Sequence, residues 1–165
     1  MYRAGIGYDI HRLVKGRKLF LGGIQIPYSK GLSGYSDADV LLHAICDALL
    51  GAAGLADIGK HFPNTDEKFR GIRSTELLKM VLRLIKKNGF RIINLDTTLV
   101  AQAPRISNFK SKIEQNIARI LNLKAEVVNL KATTSEGVGE IGKNKAIAAW
   151  CVALLSQMKP RLSEQ

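Results

Sequence analysis

Ser36-Asp37-Ala38-Asp39-Val40-Leu41-Leu42-His43-Ala44-Ile45-Cys46-Asp47-Ala48-Leu49-Leu50 carries apolar residues around most of a helical circumference from Ala38 onward. That pattern belongs to a helix buried nearly all round rather than one lying on a surface. Its start is signalled by Ser36-Asp37-Ala38-Asp39, which fits capping-box spacing: the Ser36 hydroxyl is available to a free backbone amide and an acid stands three positions on. Three polar residues interrupt the apolar run. Asp39, His43 and Asp47 recur every four residues and so form one stripe, which on a buried helix needs a partner.

Upstream, Arg3 to His11 alternates small or apolar residues with polar ones and reads as a strand. A second short run, Lys18 to Ile26, surrounds the turn-like Gly22-Gly23, and a hairpin is its simplest reading. Downstream, Leu77, Leu78, Val81, Leu82 and Ile85 fall at helical spacing within Ser74 to Asn88, with Ser74 as cap and Asn88-Gly89 as stop. This helix is amphipathic and is expected to pack on a sheet. Phe90 to Ala101 reads as a strand, Phe109 to Leu121 as a third helix and Val127 to Thr134 as another strand. Ala146 to Leu155 stays open, since a short buried strand and a short buried helix share its periodicity. The order alternates, as in an α/β or α+β chain. At 165 residues it fits a single domain spanning 1–165, without repeats or linkers and with a basic polar tail from Lys159.

The formal charge of +11 is the compositional outlier, and it suits either a polyphosphate metabolite or nucleic acid. Much of the excess sits on helix-like segments, at Lys79, Arg83, Lys86 and Lys87 and at Lys110, Lys112, Arg119 and Lys124. Aromatic residues are only 6% of the chain, so a base-stacking surface is disfavoured and an ordinary solvated face is the plainer reading. Cys46 and Cys151 lie far apart and outside any Cys-x-x-Cys spacing, which points to reduced core residues. The longest apolar runs fall short of the ~20 residues that span a bilayer, and the start has no apolar secretory core. A cytoplasmic protein is expected, or an organellar one from which a transit peptide has been trimmed.

Asp9 and His11 are two apart on the first strand, so both side chains leave the same face of the sheet. With His43 they make a candidate metal set. Two histidines and a carboxylate would leave a fourth zinc position open for substrate. Each residue alone has a plainer explanation: Asp9 as a turn or capping acid, the histidines as hydrogen-bonded core or surface groups. Asp39 and Asp47 either orient His43 or satisfy the helix start and a surface.

Gly7-Tyr8-Asp9-Ile10-His11, Gly22-Gly23, Ser36-Asp37-Ala38-Asp39-Val40, His43 and Asp57-Ile58-Gly59 resemble the 2-C-methyl-D-erythritol 2,4-cyclodiphosphate synthase family. Phe62-Pro63-Asn64-Thr65-Asp66, Ala101-Gln102-Ala103-Pro104-Arg105 and Lys131-Ala132-Thr133-Thr134-Ser135-Glu136 follow in that family's order and spacing, so the likeness covers nearly the whole chain. The resemblance implies a mixed β-sheet with helices on one side, a homotrimer, and three active sites at subunit boundaries. It implies a lyase of non-mevalonate isoprenoid synthesis that closes 4-diphosphocytidyl-2-C-methyl-D-erythritol 2-phosphate into the cyclic diphosphate and expels CMP. The substrate's own 2-phosphate would be the nucleophile, so no protein serine or cysteine need attack.

The same resemblance distributes roles. Asp9, His11 and His43 would hold Zn2+, and Glu136 a second ion, Mg2+ or Mn2+, with the substrate phosphates. Tyr35 and Thr134 would be catalytic. Asp9, Ile10, His11, Tyr35 and Ser36 would contact substrate phosphate, and Asp57, Ile58 and Gly59 with Phe62, Pro63, Asn64, Thr65 and Asp66 the methylerythritol end. Ala101, Gln102, Ala103, Pro104, Arg105, Ile106 and Ser107 would recognise cytosine, and Thr133, Thr134, Ser135 and Glu136 the diphosphate. Glu140 and Lys143 complete the expected contacts.

Two segments depart from the family pattern. Tyr35 stands where histidine is usual, and a phenol can donate a hydrogen bond to phosphate but cannot readily carry a proton near neutral pH. Gly139-Glu140-Ile141-Gly142-Lys143 stands where Gly-Phe-Thr-Gly-Arg is common, and Lys143 lacks the bidentate fork of arginine. Three other readings compete. Another divalent-metal enzyme acting on a phosphate ester or diphosphate would form a different product. A basic RNA- or nucleotide-binding module would bind RNA in a salt-sensitive way that survives loss of His43. A structural oligomer would show no metal dependence.

Overall fold

The computed structural model describes residues 1–158, and the basic tail from Lys159 lies outside them. Strand β1 (Tyr2–Lys15) runs past His11, because its last three residues pair antiparallel with β4 (Lys30–Leu32). Between them β2 (Leu19–Leu21) and β3 (Ile24–Ile26) form the expected hairpin, turning on Gly22 and Gly23, both at positive φ. Strands β5 (Phe90–Val100) and β6 (Val128–Thr133) pair in parallel. The undecided segment is strand β7 (Ala146–Gln157), central in the sheet and antiparallel to both β1 and β5. The five-stranded order is β4-β1-β7-β5-β6, a mixed sheet.

Helices α1 (Val40–Ala53), α3 (Ser74–Lys87) and α4 (Lys110–Leu121), with the single-turn α2 (Ile58–His61) between the first two, pack as one layer on one face of this sheet. Helix α1 is the innermost, buried at eleven of its positions, as its all-round apolar sequence requires. Its caps differ from the sequence reading. Ala38 lies at φ 57°, so the chain is not yet helical there, and Asp39 rather than Ser36 caps the helix by accepting from the Leu42 amide (3.2 Å). The Ser36 hydroxyl instead accepts from the Ala38 amide (3.0 Å). Ser74 likewise does not cap α3 but is its first residue; its amide donates to Asp37 (3.1 Å), a carboxylate supplied by a distant segment. The stop at Asn88-Gly89 is as expected.

Gly5 and Gly7 face α1 from β1. A Cβ on Gly7 would overlap the Ala44 carbonyl oxygen, and one on Gly5 would overlap that of Ala48. The helix therefore lies directly on the strand backbone, with Ala44, Ala48 and Ala52 at four-residue spacing along the contact. Buried Asp39 adds a polar tie by accepting from the Gly22 (3.0 Å) and Gly23 (2.6 Å) amides of the hairpin turn. The opposite sheet face is uncovered and apolar where β1 meets β7: Ile6, Tyr8, Ile10, Trp150 and Val152 are all exposed, and Tyr8 stacks at a tilt on Trp150.

The contact between β1 and α1 leads to the first prediction. Gly7→Ala should lower the unfolding free energy by at least about 2 kcal/mol, because the added methyl meets backbone that cannot rotate away. Chemical denaturation measures this, and an unchanged midpoint would show that the helix can lift off the strand without cost.

Candidate metal centre and its surroundings

Asp9 and His11 leave the same face of β1 as Gly5 and Gly7, so the close approach of α1 carries His43 to them. The Asp9 Oδ2 atom lies 2.9 Å from His11 Nε2 and 2.9 Å from His43 Nδ1, and the two ring nitrogens are 3.1 Å apart. All three residues are partly buried, and their donor atoms lie within 4.8 Å of one another. The Ser33 carbonyl oxygen accepts from His11 Nδ1 (2.7 Å), which orients the ring so that Nε2 faces the other two donors.

Burial presses the Asp9 carboxyl upward, but hydrogen bonds and charge from His11 and His43 outweigh it and hold the carboxyl well below the usual range. Burial presses His11 downward, yet Asp9 and the Ser33 carbonyl raise it above its ordinary value. The cluster thus favours an ionised carboxylate beside two nitrogens. These residues could hold a metal ion, and their donor set is the open three-ligand kind that zinc takes. The neighbouring carboxylates of the α1 stripe are employed elsewhere: Asp39 in the cap and hairpin tie, Asp47 in accepting from the Ile58 amide (2.7 Å).

The metal cluster opens on a cavity of about 300 Å³ lined by His11, Tyr35, Ser36, His43, Ile58, Gly59, Phe62 and Asn64. Several expected residues therefore converge on it. Asp57 caps α2 by accepting from the Lys60 amide (2.8 Å), and Asp66 caps the following 3-10 turn (Glu67–Phe69) by accepting from the Lys68 amide (3.2 Å). Pro63 and Thr65 belong to the loop joining these turns. The Tyr35 hydroxyl donates to the Asp66 carbonyl (3.4 Å), and its ring lies 5.4 Å from the Arg70 guanidinium.

A second cavity, of about 610 Å³, gathers Ala101, Gln102, Pro104, Arg105, Ile106, Ser107, Thr133, Thr134 and Glu136. Ala103 precedes Pro104 in the same loop through a cis peptide. The Thr134 hydroxyl donates to Glu136 Oε1 (2.6 Å), the Ser135 hydroxyl to the Val138 carbonyl (2.9 Å) and the Thr133 hydroxyl to the Thr134 carbonyl (3.2 Å). Glu136 sits at φ 51° and belongs to no group of three or more potential ligand side chains among the described residues.

The two cavities share no lining residue. Register explains why: Ile10 of β1 pairs with Ala148 of β7, which pairs with Val100 of β5, which pairs with Thr133 of β6. These register positions lie at the same end of the sheet but roughly 14 Å apart, three strand spacings. Glu140 and Lys143 join neither. They stand on the single-turn α5 (Gly139–Gly142) and its cap, where Glu140 pairs with Lys143 (3.6 Å) and Lys145 (3.3 Å) beside a third cavity of about 660 Å³ that Ile10 also lines.

Sequence reasoning missed Asp37 and Ser74 as neighbours of the metal set. The Ser74 hydroxyl lies 2.9 Å from His43 Nε2 and donates to Asp37 Oδ1, while the Ser36 hydroxyl lies 3.2 Å from the same nitrogen. No local signal links residues 37 positions apart. Cys46 and Cys151 are buried free thiols, both pushed upward by burial, as reduced core residues should be.

Residues 2–156 match the model of the YgbB family. A relative from Desulfatibacillum aliphaticivorans, named 2-C-methyl-D-erythritol 2,4-cyclodiphosphate synthase, is 57% identical over 153 residues, 93% of this chain and 99% of its own. Among solved structures, the bifunctional IspDF from Campylobacter jejuni superposes with a TM-score of 0.93 at 41% identity; the match covers 96% of this chain and 43% of that longer one. IspF from Plasmodium falciparum, a CDP complex, superposes with a TM-score of 0.84 at 35% identity over 96% of this chain and 97% of its own.

Proposed function

The chain belongs to the YgbB family, and we propose that it converts 4-diphosphocytidyl-2-C-methyl-D-erythritol 2-phosphate into 2-C-methyl-D-erythritol 2,4-cyclodiphosphate and CMP, in the cytoplasm and as one domain over residues 1–165. The observation that carries this reading is the Asp9, His11 and His43 cluster opening on a cavity lined by Ser36, Ile58, Gly59 and Phe62. It is a phosphorus-oxygen lyase of isoprenoid synthesis. No helix among the described residues is long and apolar enough to cross a membrane.

Asp9, His11 and His43 would hold a Zn2+ ion, which would supply positive charge to phosphate oxygens when bound. The protein's own residues then shape the substrate. Asp57 has one carboxylate oxygen occupied in the α2 cap and the other free to accept from sugar hydroxyls. Phe62 to Asp66 line that end. Ala101 to Ser107 receive cytosine, and Thr133, Thr134 and Ser135 offer hydroxyls and amides to the diphosphate. Glu136 is the carboxylate we assign to Mg2+ or Mn2+; such ions are commonly held by one or two carboxylates plus substrate phosphates. Folding the substrate so that its 2-phosphate oxygen faces the β-phosphorus makes the displacement intramolecular, which is where such a site gains most of its rate. Glu140 and Lys143 are left as distal contacts, because their charges are paired with each other and with Lys145.

The metal half-site and the nucleotide half-site of one chain stand too far apart to act on one diphosphate. A homotrimer resolves this by letting the metal half-site of each copy face the nucleotide half-site of its neighbour, with the apolar face of Ile6, Tyr8, Ile10, Trp150 and Val152 turned inward. CDP in the Plasmodium falciparum relative supports a cytidine-linked substrate.

Phosphorus NMR of the reaction with zinc and magnesium should show cyclic diphosphate and CMP from the unaltered protein and neither from His43→Ala; a linear product would reassign the chemistry. Tyr35→Phe should slow turnover on the order of tenfold, about 1.4 kcal/mol of transition-state stabilisation, whereas unchanged turnover would remove Tyr35 from the reaction. Co-expressed His43→Ala and Glu136→Ala chains should regain activity that neither has alone, at roughly one site in four for random mixing. Failure of mixed trimers to regain activity would place both half-sites in a single chain.

A further inference from the structure

Arg17 lies in the turn after β1 and is not among the residues lining the cavity at the metal cluster, whereas Gly34, Tyr35 and Ser36 line it together. Its guanidinium nevertheless grips the loop that carries them. Nη1 donates to the Gly34 carbonyl (3.0 Å) and Nη2 to the Ser36 carbonyl (2.6 Å), the two carbonyls on either side of Tyr35. Neither of these accepts from a backbone amide among the described residues, so Arg17 meets an obligation that no strand or helix meets. The Tyr35 carbonyl between them accepts from the Gly71 amide (2.9 Å), which gives consecutive carbonyls of the loop partners from outside it. The root of the Arg17 side chain is fixed as well. A Cβ on Gly31 of β4 would overlap the carbonyl oxygens of Arg17 and Lys18, so this turn is seated directly on the strand that leads into the loop.

We infer that Arg17 is a positioning residue for the proposed reaction: its planar fork clamps the backbone on both sides of Tyr35, so that Tyr35 and Ser36 are presented to substrate phosphate in one geometry. The inference deepens the reading of Tyr35 and Ser36 as phosphate contacts and rests on it. The loop needs such a hold because it has no regular structure of its own. Between the end of β4 at Leu32 and the start of α1 at Val40 the chain forms neither strand nor helix and passes through Ala38 at φ 57°. A guanidinium suits the task, since two of its nitrogens donate in one plane and reach the carbonyls of residues i and i+2 together, and hydrogen bonds from a charged donor are stronger than those between neutral groups. A lysine ammonium is a point charge on a flexible stem and lacks that fork. Arg17 thus acts through the backbone of the loop and not by touching substrate.

Hydrogen exchange by mass spectrometry and steady-state turnover test this together, on Arg17→Met, which keeps an unbranched apolar stem and removes every donor, and on Arg17→Lys, which keeps the charge and loses the fork. The Asp37, Ala38 and Gly71 amides are bonded within or onto the loop. In Arg17→Met, peptides covering residues 33–39 and 69–73 should therefore exchange at least about tenfold faster, while those of α1 and β7 keep their rates. Its kcat should fall roughly 10- to 100-fold, by a larger factor than KM rises, because displaced groups misorient the reacting phosphate rather than release the substrate. Arg17→Lys should fall between Arg17→Met and the unaltered protein in both measurements. If Arg17→Lys matched the unaltered protein, charge alone would suffice and the clamp would be overturned. Unchanged exchange at 33–39, faster exchange spread evenly over α1 and β7, or an unchanged kcat in Arg17→Met would overturn it equally. The exchange measurement needs neither substrate nor metal, so a protein that formed no cyclic diphosphate would lose the synthase reading while the clamp itself was still decided.

Discussion

The contact of α1 with the bare backbone of β1 is the constraint on which the rest of this structure depends. Gly5 and Gly7 leave no side chain between strand and helix, and Ala44, Ala48 and Ala52 answer with the smallest side chain a helix favours. The separation is set by backbone against backbone, which does not adjust as a layer of flexible side chains does. His43 is next to Ala44, and Asp9 and His11 continue the alternation of Gly5 and Gly7. The geometry of the metal set is consequently a by-product of how closely the core packs, and the same two-residue and four-residue periods place both the packing groups and the ligands.

Burying polar groups in so tight a seam requires that each find a partner. Asp39 shows how this is done: its carboxylate caps α1 and receives two amides of the hairpin turn, so one buried acid closes a helix end and fastens β2 and β3 over it. Asp47 fastens α2 in the same way through the Ile58 amide. Polar residues on α1 thus divide between holding loops in place and holding metal. Asp47 thereby ties the start of α2, whose Ile58 and Gly59 line the same cavity as the third member of the stripe, His43.

Local periodicity made most of the elements legible in the sequence. The alternation of Arg3 to His11, the all-round apolar helix and the amphipathic helix ending at Asn88-Gly89 each depend on neighbours within a few residues, and each is where the spacing placed it. The Asp9, His11 and His43 set was legible as a possibility for the same reason, but the meeting of strand and helix was not, since it depends on Gly5 and Gly7 being read as an interface rather than as flexible positions. The caps failed because they are settled by non-local partners: Asp37 takes the Ser74 amide across 37 residues, and the left-handed turn at Ala38 displaces the helix start by two positions. Ala146 to Leu155 could not be assigned from its own composition, because what makes it a strand is its place between β1 and β5.

That central position of β7 also accounts for the division of the site. Inserting β7 between β1 and β5 separates the residues we assign to one substrate by three strand spacings, and no movement within a packed sheet could close such a gap without breaking the ladders. The same strand brings Trp150 and Val152 to the uncovered face beside Ile6 and Tyr8, so the element that divides the site also supplies the apolar surface an assembly would bury. Rotational symmetry links the two facts. In the proposed trimer, a second copy related by rotation about an axis near β7 would cover that apolar face and set its own nucleotide loops against the neighbouring metal cluster. On that proposal the chain has no need to fold both halves of its site together, and the cost of leaving an apolar face on the sheet would be offset by the contact that completes the chemistry.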